Sequence, residues 1–129
     1  MSNLEIFIQA YLECALWATT ASPDEGEENG DSLDQHFNVF DVTDSARKQV
    51  ESECEDFLKR EDVSSIAEKW GREEYKRAGH NFFLTRNHHG AGFWDSDWPE
   101  HDGDILTKAS DEAGSSEPYV GDDGGIYFS

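Results

Sequence analysis

The chain has 129 residues, with 29 Asp or Glu against 10 Lys or Arg, and its formal net charge is −19. This length fits one domain, whose folding removes roughly two-thirds of the unfolded chain's surface from water. The charge argues against direct binding of nucleic acid, because the few basic pairs stand among carboxylates and form no basic stripe. The partner that such a surface favours is a protein with a cationic, nucleic-acid-binding groove. The alternatives are that the acidity only confers solubility or reflects a salt-rich cytoplasm.

The first helix is predicted from Asn3 to Thr19, where apolar residues leave one narrow polar stripe, Glu5-Gln9-Glu13. A helix this apolar is expected to be central and buried. The stripe, together with the absence of a basic n-region, excludes a signal peptide and a membrane span. Cys14 and Cys54 both lie in helical patterns, which favours reduced, buried thiols; a disulfide between them is the alternative.

Residues 21–35 are predicted to form an acidic, mobile loop, and His36 to Val42 a short extended segment. A second helix, capped by Thr43 or Asp44, then runs to about Arg60. One face of this helix is apolar and the other is acidic. The acidic side is the candidate binding surface, and it comprises Glu51, Glu53, Glu55 and Asp56.

A third helix is predicted from Ser64 or Ser65 to Gly79, where glycine ends it. The stretch from Gly79 to Asp95 is then interpreted as a β-hairpin, because the aromatic runs 82–85 and 92–94 flank a turn rich in Asn and Gly. We expect a positive φ, or a ring lying on the backbone, at Gly90 or Gly92.

An acidic loop over 95–104, a short helix from Ile105 to Ala113 ended by Gly114, and a second hairpin complete the chain. The hairpin strands are 118–120 and 126–128, joined by the turn 121–125. The fold class is therefore α+β. It is a single domain, 1–129, with about three N-terminal helices and a short helix packed on a small antiparallel sheet made of two hairpins.

The first predicted hairpin carries a candidate polar site, because its residue types can move protons near neutral pH or hold an anion. The site comprises His80, Arg86, Asn87, His89 and Asp95. Their order matches no nucleophile or zinc motif, so no catalytic residue is assigned. The structural interpretation is that Thr85, Arg86 and Asn87 bond turn backbone while one His packs against Trp94 or another ring. No metal or cofactor is expected, since Asp95-x-Asp97 departs from a calcium loop.

Several segments resemble a family of small acidic bacteriophage proteins of unassigned function. His88 replaces an expected small residue, and the acidic segment after Thr20 is longer. The resembling segments are 10–17, 79–80, 84–87, 89–95 and 119–124.

The resemblance implies a phage protein in the host cytoplasm. Together with the charge it suggests an inhibitor or adaptor that mimics DNA and blocks a host defence such as restriction or CRISPR. A small hydrolase or nucleotide-processing enzyme, and a phage structural or accessory protein, are the alternatives.

Overall fold

A computed structural model describes residues 2–19, 32–94 and 98–129. The described part is mostly helical with one small antiparallel sheet, in agreement with an α+β class. The helices are α1 (Asn3–Ala18), α2 (Asp44–Lys59), α3 (Glu61–Ala67), α4 (Arg72–Arg86) and α5 (Glu100–Ala113), the strands are β1 (Pro118–Val120) and β2 (Ile126–Phe128), and two 3-10 turns cover Leu33–Gln35 and Val39–Asp41.

Helix α1 is the central helix, as predicted, and it packs mainly along α4. Its start is fixed by reciprocal capping, since Ser2 Oγ accepts from the Glu5 N–H at 3.1 Å and the Glu5 carboxylate accepts from the Ser2 N–H at 3.2 Å. Glu5 and Glu13 face water, while Cys14 and Cys54 are buried free thiols.

The prediction of a hairpin over residues 79–95 is wrong, because Phe82 to Arg86 continue helix α4. The buried residues of α4 recur with helical spacing, and the aromatic run belongs to that pattern. They are Ala78, Gly79, Phe82, Phe83, Thr85 and Arg86.

Gly79 lies inside α4 and does not end a helix. A Cβ at this position would overlap the Phe7 carbonyl oxygen, so the missing side chain lets α1 and α4 approach closely. The predicted third helix is also divided. It ends at Ala67, and α4 begins after Gly71, whose N–H donates to the Glu74 carboxylate at 3.1 Å.

An aromatic cluster fills the core between these helices. The Phe57 and Phe82 rings stack with centroids 4.1 Å apart, and Phe7 and Phe93 contact this pair. Rings of this size bury a large area per residue, which explains how a chain with only 36% hydrophobic residues forms a core.

The single hairpin of the described chain pairs β1 with β2 in the register Pro118↔Phe128 and Val120↔Ile126, as its turn residues predict. Ile126 also forms a parallel bridge with Val42. The predicted extended segment from His36 to Val42 is not continuous, because a 3-10 turn at Val39–Asp41 interrupts it.

The predicted acidic loop is described only from Ser32 onward. There Leu33 is buried and begins a short 3-10 turn, so the predicted loop ends before Leu33. Its residues 21–31 lie outside the described part of the chain.

Candidate functional site

The four predicted carboxylates of α2 differ in their surroundings. Three form ion pairs: Glu51 with Arg47 at 3.1 Å, Glu53 with Arg86 at 2.6 Å and Glu55 with Lys59 at 3.2 Å. Asp56 is exposed and has no Lys or Arg nitrogen within 4.0 Å among the described residues. Cations of the chain thus compensate three of the four carboxylate charges on this face. Asp56 carries the charge that no cation compensates.

Arg86 is the most heavily bonded side chain of the predicted polar site. Its guanidinium is only 3% exposed and donates to the Gly114 carbonyl at 2.6 Å, to the Ala113 carbonyl at 3.2 Å and to Tyr11 Oη at 3.1 Å. With the Glu53 contact, one buried cation joins four elements of the fold. These bonds give Arg86 a structural role at the end of α5.

Asn87 and His89 bind the segment that follows α5. The Asn87 amide donates to the Ser116 carbonyl at 3.1 Å and accepts from the Ser116 N–H at 2.8 Å. His89 Nε2 lies 2.9 Å from the Glu117 carboxylate, and its ring stacks on Phe83 with centroids 5.5 Å apart. The segment 113–117 is therefore attached to the end of α4 by three polar side chains, those of Arg86, Asn87 and His89.

Thr85 and Gly92 shape the chain after α4. Thr85 Oγ1 accepts from the Phe93 N–H at 3.1 Å, which seats Phe93 in the aromatic core. Gly92 has φ +157°, and a Cβ there would overlap Thr85 Oγ1, while Trp94 also lies close. The expectation of a positive φ in this segment is confirmed, at both Gly90 and Gly92.

His80 stands apart from the residues that bind the segment 113–117. It is half-buried, and burial is the main cause that lowers its pKa, with the Lys76 charge acting in the same direction and the Glu13 charge opposing it. Its backbone carbonyl accepts from the Cys14 thiol at 3.6 Å. Asp95 lies outside the described residues. Of the other four predicted residues, Arg86, Asn87 and His89 lie together and His80 does not.

The buried thiols are poor nucleophiles. Burial raises the pKa of Cys14 to about 12 and also raises the pKa of Cys54, which keeps both sulfur atoms protonated near neutral pH. Across residues 2–19, 32–94 and 98–129, no three His, Cys, Asp or Glu side chains gather as a metal site. No helix of this described part has the length and apolarity needed to cross a bilayer.

Two surface features were not found by sequence reasoning. Phe40 is 91% exposed on the second 3-10 turn, within the stretch predicted as an extended segment. The turn is braced by Asn38, whose side chain accepts from the Phe40 N–H at 2.9 Å. The second feature is a cleft between α2 and α5, which no local pattern could indicate because its two walls are about fifty residues apart in the sequence.

Comparison with known proteins finds no matching family model, no matching curated protein and no matching solved structure. The resemblance to small phage proteins therefore stays a prediction.

Proposed function

We propose that this protein is an acidic inhibitor or adaptor that binds a nucleic-acid-binding protein of a host cell through its carboxylate-rich surface. The observation that carries the proposal is the excess of carboxylates over internal cations. Only Glu51, Glu53, Glu55, Asp62 and Glu112 lie within 4.0 Å of a Lys or Arg nitrogen among the described residues. Most carboxylates of the described residues therefore have no Lys or Arg of the chain to compensate their charge.

The scaffold supports the same proposal. Carboxylates that replace phosphates must keep their spacing, and side chains on well-packed helices keep it better than side chains on a disordered acidic tail. A phage protein that blocks restriction or CRISPR enzymes is the biological setting we favour, in line with the sequence resemblance.

The hydrolase alternative has less support. Arg86 and Asn87 donate to groups of the protein itself, and His89 contacts Glu117. A substrate anion would have to displace these bonds. A structural or accessory phage protein remains the other alternative, and self-association on a sizing column would favour it.

The test is capture of nucleic-acid-binding proteins from host lysate on the immobilised chain at low and high salt, followed by elution with duplex DNA. Because phosphates and carboxylates would compete for one groove, DNA should displace the captured protein and salt should weaken its binding steeply. If low-salt capture recovers no nucleic-acid-binding protein, or if DNA fails to displace it, the proposal is wrong.

Amide variants locate the surface. The triple change Glu51→Gln, Glu55→Gln and Asp56→Asn spares Glu53, whose loss would leave Arg86 unpaired. Its control changes three exposed carboxylates elsewhere by the same net charge, Glu73→Gln, Glu100→Gln and Asp122→Asn. We expect the α2 triple to weaken capture more than the control triple. Equal weakening would place the contact outside α2.

A further inference from the structure

A cleft of about 220 Å³ opens between α2 and α5, beside the end of α4. Its apolar lining includes Phe57 and Ala109, which are buried, and Ala113, which is exposed. Its charged lining is Glu53, Asp56, Arg60, Arg86 and Glu112.

The carboxylates of the cleft already bind guanidinium groups of the chain itself. Glu112 accepts from Arg60 Nη2 at 2.7 Å, and Glu53 accepts from Arg86 Nη1 at 2.6 Å. Asp56 is the third carboxylate of the lining and has no such partner among the described residues. The lining has three carboxylates and two guanidinium groups, so one negative charge of the cleft is not compensated.

We propose that this cleft receives one arginine side chain of the cationic partner. The methylene stem packs on the apolar lining at Ala113, and the guanidinium pairs with Asp56. Arginine fits better than lysine because its planar fork can donate two hydrogen bonds to one carboxylate, as Arg60 does to Asp62 through Nε and Nη2, each at 3.2 Å. The inference rests on the proposed function and identifies one contact of it.

The size of the cleft agrees with such an occupant. Small-molecule sites usually span about 300–1,000 Å³, and this cleft is smaller, at about 220 Å³. A single extended side chain needs less room than a substrate, so the volume favours a partner's side chain.

The test is an NMR titration of the ¹⁵N-labelled chain with the capped tripeptide Gly-Arg-Gly at low salt. The matched peptide carries citrulline, which keeps the shape of arginine and lacks its charge. We expect shifts centred on the amide signals of Asp56, Phe57 and Glu112 with the arginine peptide alone. Asp56→Asn should weaken binding roughly fivefold, the factor that corresponds to about 1 kcal/mol for a solvent-accessible ion pair. Asp122→Asn, the same charge change on the exposed hairpin turn, should leave it unchanged.

Asp56 is exposed, so its amide variant should have the same melting temperature as the wild type. Thermal unfolding checks this before the titration. Equal shifts with citrulline, shifts centred elsewhere, or equal weakening by the two amide variants would overturn the assignment. If Asp56→Asn leaves capture of a DNA-displaceable partner intact, the cleft does not bind the partner's arginine, and the proposed function stands. If the wild type captures no such partner, the proposed function fails even where the peptide titration succeeds.

Discussion

Replacing Arg86 by methionine tests the structural role of the polar residues at the end of α4. Methionine keeps an unbranched stem against Phe82, over whose ring the guanidinium carbon lies at 5.0 Å. The substitution removes the donor to Glu53, to Tyr11 and to the two carbonyls at the end of α5.

The magnitude follows from what is left without a partner. Removing one member of a buried ion pair costs about 3–5 kcal/mol, and each orphaned neutral acceptor adds about 1 kcal/mol. Glu53 keeps 30% side-chain exposure and can recover some hydration, which moves the estimate down. We expect a loss of about 4 kcal/mol in the free energy of unfolding, a large part of the roughly 5–15 kcal/mol typical of a domain.

Urea unfolding followed by circular dichroism measures this loss. Arg60→Met is the matched control, since Arg60 also pairs with two carboxylates but at the surface, where the cost should stay below about 1 kcal/mol. Adding Glu53→Gln to the Arg86 variant should recover stability, because the uncompensated carboxylate is removed. A difference of less than about 1 kcal/mol between the two methionine variants would refute the reasoning.

Three further predictions concern positions on or next to α4. Gly79→Ala should lower the unfolding free energy by about 1–3 kcal/mol, although alanine favours helices, because its Cβ would overlap the Phe7 carbonyl; an unchanged or higher urea midpoint would contradict this. Gly92→Val should cost on the order of 1–3 kcal/mol by the same measurement, since its Cβ would meet Thr85 Oγ1; a cost typical of a surface substitution would count against the packing described. Burial lowers the pKa of His80, so the unfolded chain takes up the proton first as pH falls. The contribution of neutral His80 should be complete above the ordinary value of 6.5 and decline below it. His80→Gln should remove this decline from a pH series of unfolding free energies, and an identical slope in both proteins would refute it.

The parts of the fold that local signals encode were predictable. Thr43 does cap α2, with Oγ1 accepting from the Ala46 N–H at 3.2 Å, and the Gly-rich turn at 121–125 does join two strands. The centre was predicted wrongly from propensity, since Phe82 and Phe83 favour a strand over a helix when considered alone. Their packing on α1 decides between the two, and the helical recurrence of buried positions from Ala78 onward was the available signal.

Only part of the candidate polar site lies together in the structure, and its partners were not predicted. Arg86, Asn87 and His89 do act together, yet they bind residues 113–117, a separation that no spacing rule covers. Likewise, the acidic pattern of α2 was visible, but the pairing of Glu53 with Arg86 requires the tertiary fold. The sequence shows how many carboxylates the chain has, and only the tertiary structure shows which of them have no cation beside them.

The bonds from Arg86 and Asn87 reach main-chain atoms of Ala113, Gly114 and Ser116. Every residue type offers the same carbonyl oxygen, so the bonds to Ala113 and Gly114 do not depend on their side chains. Three positions are still constrained: Gly114 by its φ of +77°, Ser116 by burial and Glu117 by its contact with His89. Arg86 and Asn87 have no such freedom, because their side chains supply the donors. Sequence divergence should therefore differ between the two sides of this contact: distant relatives would keep residues 86 and 87 and vary Ala113 more freely.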